Sequence, residues 1–298
     1  MKVLITGGSG FIGRALVNSL VERGHEVSVI DRSFSLKQPG VIYHKADLVN
    51  ERLHPEWFDG LDTIVHLAGA PIIGKRWTPS YRDELYASRI ISAARMIQAI
   101  GLLAPDQQPH SIVSASAIGI YGDRGDEILT EQSLPGDDFL AALCQDWEYA
   151  WEAQVKKGAR LVCIRTGIVV NEMGGIMARI KPFINFGLSI VFGDGKQWVS
   201  WISLPDLASI YVTAVEDTNL KGPINAVAPR PFRQRDFMSR LSHYYKRTFF
   251  VALPSWLIVW VIGGASTAVL SSQRVKPAVL LDHKFAYKHL TIHNALDV

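Results

Sequence analysis

What this sequence has little of narrows it first. Only two cysteines, Cys144 and Cys163, occur in 298 residues. They cannot make a disulfide framework and show no paired metal-ligand spacing, so no metal site is expected and a reducing, cytoplasmic setting is the simpler assumption. An excess of one charge sign is lacking too. The formal net charge of +3 is too small a basic excess to imply a nucleic-acid partner. The first apolar strand begins at Val3, which leaves no room ahead of it for a cleaved leader. Internal repeats and low-complexity runs are missing. An uninterrupted membrane-length apolar run is missing as well. Phe249 to Leu270 carries no charge, but Pro254, Gly263, Gly264, Ser266 and Thr267 break it, and its best run, Trp256 to Ile262, is far shorter than a bilayer. Burial in a C-terminal domain is the expectation for it, with no membrane partner.

What is present is the balance of an ordinary globular chain, 48% hydrophobic and 20% charged, long enough for one large or two modest domains. Its most informative stretch is Val3-Leu4-Ile5-Thr6-Gly7-Gly8-Ser9-Gly10-Phe11-Ile12-Gly13. A short apolar strand runs straight into glycines spaced for a dinucleotide pyrophosphate: Gly7 for the tight turn, Gly10 for close backbone approach, Gly13 for helix packing. The helix that follows, over Arg14 to Arg23, offers its free N–H groups to the anion. A Gly-rich turn without ligand is the plain alternative, and the second strand at Glu26 to Ile30 argues against it by completing the unit. The chain is therefore expected to bind NAD or NADP. At the end of that second strand Asp31 can accept the ribose hydroxyls of NAD, whereas Arg32 can pair with the 2′-phosphate of NADP. The carboxylate beside a 2′-phosphate is a like-charge contact, which favours NAD and leaves NADP open through Arg32.

Strands and helices then alternate. Val41 to His44 and Thr63 to Gly69 read as strands, Pro79 to about Leu102 as one long helix, Ser111 to Ser114 as a strand, Phe139 to Lys157 as a helix and Leu161 to Arg165 as a strand. This is an α/β pattern, a Rossmann-type doubly wound parallel sheet. Right-handed crossovers bring the strand carboxyl ends to one edge, gathering Gly7 to Gly13, Asp31, Leu67-Ala68-Gly69, Ser114 to Tyr121 and Arg165-Thr166-Gly167 along a cofactor cleft. After Val170 the alternation gives way to glycines and prolines. The expected division is a dinucleotide-binding domain over residues 1–170 with a return segment at about 200–225, and a smaller C-terminal α/β substrate domain over 171–199 and 226–298. Helices are read over Pro205 to Glu216 and Asp236 to Lys246, with a short strand at Ile224 to Val227 between them.

Several side chains are candidates for chemistry. Ser116 follows a buried strand at the cofactor edge and is read as a substrate-facing hydroxyl, against a turn serine. Tyr121 can stand in as an acid, although no nearby lysine lowers its pKa, and packing is an equal reading. Lys75 and Arg76, just after the fourth strand, can meet an anionic substrate or simply be solvated. Arg89 can support the same anion or form a helix-surface ion pair. Arg230, Arg233, Arg235 and Arg240 read as a basic face more readily than as a diphosphate site. Cys144 between Leu143 and Gln145 reads as a buried thiol rather than a nucleophile.

Thr6 to Gly13, Ala46-Asp47-Leu48, His66-Leu67-Ala68-Gly69 and Ser114 to Gly122, with Trp201 to Leu207 and Gly222-Pro223-Ile224-Asn225, closely resemble the extended short-chain dehydrogenase/reductases of the epimerase and dehydratase group. The resemblance implies that Asp47 and Leu48 contact adenine, that Leu67, Ala68 and Gly69 pass along the cofactor, that Ser116 occupies the catalytic Ser or Thr position, and that the chain pairs into homodimers. One element of the group fails here. None of the nine tyrosines is followed four residues later by lysine, and matching Glu148 to the group's glutamate puts Leu140 and Cys144 at the tyrosine and lysine positions. With Phe139 to Glu148, Gly74 to Trp77, Ser88-Arg89 and Gln273 to Pro277, the chain resembles an atypical branch of epimerase family proteins. The implied function is an NAD(P)-dependent oxidoreductase or epimerase on a small polar substrate, with a sugar nucleotide as one option. The alternative is a non-catalytic dinucleotide-binding sensor.

Overall fold

Seven strands place the site, and in six of them the central residues are mostly apolar, often branched and closed to water, as parallel strands require. The computed structural model describes residues 1–34, 37–246 and 249–297. β1 (Lys2–Thr6) leads into α1 (Phe11–Glu22), followed by β2 (Glu26–Asp31), β3 (Ile42–Lys45) and β4 (Thr63–His66). Next come α2 (Pro79–Tyr86), α3 (Ser92–Ile100), β5 (Ser111–Ala117), β6 (Ile128–Leu129), α4 (Phe139–Tyr149), α5 (Glu152–Val155) and β7 (Arg160–Thr166). The later part holds β8 (Ile168–Asn171), β9 (Gly174–Gly175), α6 (Met177–Asn185), β10 (Leu188–Phe192), β11 (Trp198–Val199) and β12 (Trp201–Ser203). α7 (Leu204–Glu216), β13 (Gly222–Ala226), β14 (Phe232–Arg233), α8 (Gln234–Tyr244), β15 (Phe249–Leu253) and α9 (Ser255–Ile262) follow. α10 (Thr267–Leu270), β16 (Arg274–Val275), α11 (Ala278–Asp282) and α12 (Ile292–Leu296) end the described chain.

The main sheet has the order β13-β7-β5-β4-β1-β2-β3, and every pair in it is parallel. This is the doubly wound Rossmann arrangement, and the order reverses between β1 and β4, where such sheets open a crevice beyond their strand ends. α1 and α7 cover one face through Leu16, Leu20, Leu207 and Ile210, while Met96, Ile100, Phe58 and Trp151 cover the other. A separate apolar cluster, built on Val170, Trp201, Phe237, Leu241, Ile292 and Leu296, holds the later elements together.

The helix starts follow local chemistry. Thr78 caps α2 by accepting from Tyr81 N, Asp138 caps α4 by accepting from Ala141 N, and Ser203 caps α7 by accepting from Asp206 N, each satisfying a donor the helix itself cannot. Three expectations need correction. The helix expected over Pro79 to Leu102 is interrupted by a π-helical turn, Ala87–Ile91. The helix expected over Phe139 to Lys157 breaks at Ala150 and Trp151, where the Trp151 ring is fully buried. The apolar segment from Phe249 is not buried: β15 and most of α9 are exposed. Among the described residues no helix is long and apolar enough to cross a membrane.

Two buried carboxylates fasten the C-terminal segment to the sheet. Glu131 accepts from Asn225 N at 3.0 Å on β13 and from Ala278 N and Val279 N at 3.2 and 3.3 Å. Asp206 accepts from Lys288 N and His289 N at 2.9 and 3.0 Å. Glu131→Gln keeps the shape but turns an amide donor toward backbone donors, so a loss of about 1–3 kcal/mol is expected. Urea denaturation reads that loss, and amide exchange over residues 272–297 is expected to rise before that of the parallel sheet.

Candidate functional site

The glycine turn is held by backbone contacts that leave no space for side chains. Gly7 adopts φ +73°, and a Cβ there would meet Ala68 N at 2.9 Å, while one at Gly13 would collide with the Gly7 carbonyl oxygen. Gly10 N donates back to Gly7 O at 3.0 Å. Gly10 caps α1 without a side-chain bond and lines the crevice, leaving the first N–H groups of the helix without a side-chain cap, the arrangement that receives a phosphate. Gly7, Gly10, Asp31, Arg32, Asp47, Leu48, Leu67, Ala68 and Gly69 line one cavity of about 540 Å³ with Asp83, Glu84 and Ser88. The structure thus brings together nine of the residues expected to face a cofactor.

Both charged ends of that cavity are organised. Asp31 accepts from Ser9 N at 3.2 Å and from Arg32 N at 2.8 Å, so its two oxygens already serve the turn. Arg32 is exposed, and among the described residues its side chain makes no hydrogen bond or ion pair. Partial burial works to raise the Asp47 carboxyl, yet the Asn50 amide, the N–H groups of Val49 and Asn50, and the Arg32 charge together hold it below its usual range.

The remaining candidates lie elsewhere. Phe11 sets its ring against Gly174 and Gly175, and Ile12 packs on the core beside α7. Ser114 is fully buried and donates to Ala115 O. Gly167 presses its Cα against Ser200 O and Val227, where a Cβ would come within 2.7 Å. Lys75 pairs with Glu84 at 3.6 Å and lies over the Tyr81 ring, while Arg76 reaches Gly263 beyond α9.

Arg165 does not face the cleft. Its Nε and Nη2 grip Glu148 at 2.8 and 2.9 Å, and its Nη1 donates to Tyr121 Oη at 3.0 Å. Burial would lower the guanidinium, but the Glu148 contacts outweigh it and raise its pKa above the ordinary value. Ser116 Oγ donates to the same Glu148 at 2.7 Å, and Tyr121 Oη donates to Asn225 at 2.7 Å. Tyr121 is fully buried; burial pushes its pKa up against the pull of Arg165. Its hydroxyl proton is engaged, and as a replacement acid it is the candidate the geometry removes.

Arg89 is the surprise. It is buried rather than on a helix surface, because the π turn swings it under the cleft floor. Its guanidinium donates to Leu85 O, Ser88 Oγ and Ala70 O, lies 4.7 Å from the Trp147 ring, and backs onto Gly69, where a Cβ would meet it at 3.1 Å. No carboxylate pairs with it among the described residues, and burial pulls its pKa down to about 10. Sequence reasoning missed Glu148, Asn225 and His66 as partners; their contacts join positions 17 to 104 residues apart, and no local spacing signals them. A second cavity, about 650 Å³, includes Asp126, Asp194, Lys196 and Arg233, whose charges are spent on each other.

Residues 3–227 match the model of the NAD dependent epimerase/dehydratase family, and residues 253–297 match a domain of unknown function. The chain belongs to the NAD dependent epimerase/dehydratase family. This epimerase-family chain is 33% identical to an epimerase family protein of Mycobacterium bovis, covering 99% of this chain and 96% of that one. It is similar to a human epimerase family protein solved with NADPH, at TM-score 0.85 and 29% identity over 99% of this chain and 97% of that chain. A structure described as a nucleoside-diphosphate sugar epimerase from Corynebacterium glutamicum matches at TM-score 0.78 and 35% identity, over 99% of this chain and 57% of that one. The family to which the chain belongs is NAD(P)-binding.

Beneath that cleft His66 is fully buried, its Nδ1 2.7 Å from Thr6 Oγ1 and its Nε2 near Arg89 O and Ser92 Oγ. Burial, reinforced by the Arg89 charge, pulls its pKa from 6.5 to about 4, with the Arg89 carbonyl opposing. The unfolded chain therefore binds the extra proton first as pH falls. Stability is expected to be complete above pH 6.5 and to decline as pH drops toward 4, by roughly 3 kcal/mol at most. Urea titrations across that range check this, and His66→Gln is expected to flatten the dependence.

Proposed function

We propose that the protein is an NADP(H)-dependent oxidoreductase or epimerase acting on a small, anionic, sugar-nucleotide-like substrate. Bound nicotinamide supplies hydride transfer. The observation that carries the reading is Arg89, a buried guanidinium without a carboxylate behind the floor of the dinucleotide cleft. Carbonyls and the Trp147 face offset part of its desolvation, but a buried cation without a counter-charge costs several kcal/mol, and an anionic ligand over Gly69 recovers it. Ser116, at the carboxyl end of β5 and already donating to Glu148, can accept a hydrogen bond from a substrate hydroxyl while its own proton rests against the carboxylate. The description of the Corynebacterium glutamicum relative supports the substrate class.

The preference for NADP(H) rests on the nucleotide end. Asp31 has turned its oxygens to backbone N–H groups, which weakens its claim on a ribose, and Arg32 stands exposed beside it. The human relative's NADPH agrees. Arg32→Ala is expected to weaken NADPH at least about tenfold, the worth of one charge-assisted contact, and to leave NADH nearly unchanged. Fluorescence titration checks it, and tighter NADH than NADPH on the parent protein would overturn the preference.

A turnover screen of sugar nucleotides with absorbance at the reduced-nicotinamide band tests the reaction. Arg89→Met is expected to raise KM for an anionic substrate at least about tenfold with NADPH binding intact. The engaged hydroxyls of Ser116 and Tyr121 favour one other reading, a dinucleotide-binding sensor. Saturable NADPH binding with no turnover on any compound would assign that role.

A further inference from the structure

The charge-free stretch that begins at Phe249 forms a surface. β15 pairs with β10 alone among the described residues, so its other edge is open, and Phe249 and Phe250 on it are 72% and 48% exposed. α9 follows, with Trp256 and Trp260 at 70% and 71% and only Ile258 buried.

We propose that this face is the interface of a homodimer in which β15 pairs antiparallel with β15 of a second copy, the two-fold axis passing at Val251. Three observations select a second copy. An open strand edge presents backbone donors and acceptors that another strand satisfies and that a hydrocarbon surface leaves unmet. No charged residue occurs from Phe249 to Gln273, so laying β15 and α9 on their copies sets none of the segment's own side chains against a like charge, the condition for a self-complementary two-fold contact. The area also fits. At about 200 Å² per aromatic side chain, those four residues alone expose on the order of 500 Å², and the strand edge with Val251 and Val259 brings the face toward the roughly 800 Å² per partner of a stable interface. In the symmetric register Phe249 lies opposite Leu253 of the copy, Phe250 opposite Ala252, and Val251 opposite itself.

Analytical ultracentrifugation of the full chain tests the pairing. The parent protein is expected to be a dimer. Val251→Asp, which sets two carboxylates against each other at the axis, is expected to weaken it at least about tenfold. Val251→Lys is expected to do the same, and mixing the two variants should restore a heterodimer, which only a residue facing its own counterpart can do. NADPH binding and thermal unfolding of each variant establish that the fold is intact. A monomeric parent would overturn the proposal. So would a dimer indifferent to Val251→Asp, made through helix faces, or a monomer that instead sediments with lipid vesicles.

Discussion

The ion pair between Arg165 and Glu148 is the contact on which the rest of the molecule depends. It joins the end of β7 to α4, and through the remaining donors and acceptors of its two partners it reaches Ser116 on β5, Tyr121 after it, and Glu131 in the following loop. Tyr121 then passes the linkage to Asn225 on β13, and Glu131 to the first turn of α11. A buried pair stripped of one partner is strongly destabilising, because the other charge is left uncompensated. The network therefore sets the relative positions of three strands and one helix behind the cleft, and it fastens the C-terminal segment to them.

A second constraint lies beneath the cleft floor. Arg89 and His66 are both buried and in contact through the Arg89 carbonyl, yet only one of them can hold a positive charge at low cost. The pKa shifts divide the roles: the imidazole stays neutral at ordinary pH and the guanidinium stays charged. A neutral His66 can then bridge the Thr6 hydroxyl and the Ser92 hydroxyl, and Thr6 in turn accepts from Ala68 N. The turn after β4 is held by hydrogen bonds rather than bulk, which is why Gly7 can lie against Ala68 with no side chain between them.

How much of this was legible depended on the range of the interaction. The glycine turn and the alternation of strands and helices follow from spacings within about a dozen residues and are read directly, whereas the strand order of the sheet is set by pairings between distant segments. Asp31 and Gly69 fall on the cleft for the same reason, while Asp47 is placed there by the family resemblance. Arg89 was not legible as a buried group, since a π turn adds one residue to a helix without changing its apolar pattern visibly, and that extra residue redirects the side chain. Glu148 was visible as a position but not as the partner of Ser116 and Arg165, because those contacts span 32 and 17 residues. The apolar run from Phe249 was misjudged because hydrophobicity says that a segment avoids water, not whether its own chain supplies the cover.

The missing tyrosine and lysine bear on where protons can move. Leu140, Cys144 and Glu148 recur at four-residue intervals and so share one stripe of α4. Leu140 packs in an apolar cluster with Trp77 and Leu143. The Cys144 thiol is pushed by burial up to about 12, so neither position exchanges a proton at ordinary pH. The first protic group along that stripe is Glu148, and it is already in contact with the Ser116 hydroxyl at the end of β5. On the reading proposed above, a proton leaving a ligand on this side of the sheet would meet a serine backed by a carboxylate instead of a phenol backed by an ammonium. That exchanges a relay charged positively for one charged negatively, and the balancing cation is Arg165, whose Nε donates to the same Glu148 oxygen that accepts from Ser116 while its Nη2 donates to the other.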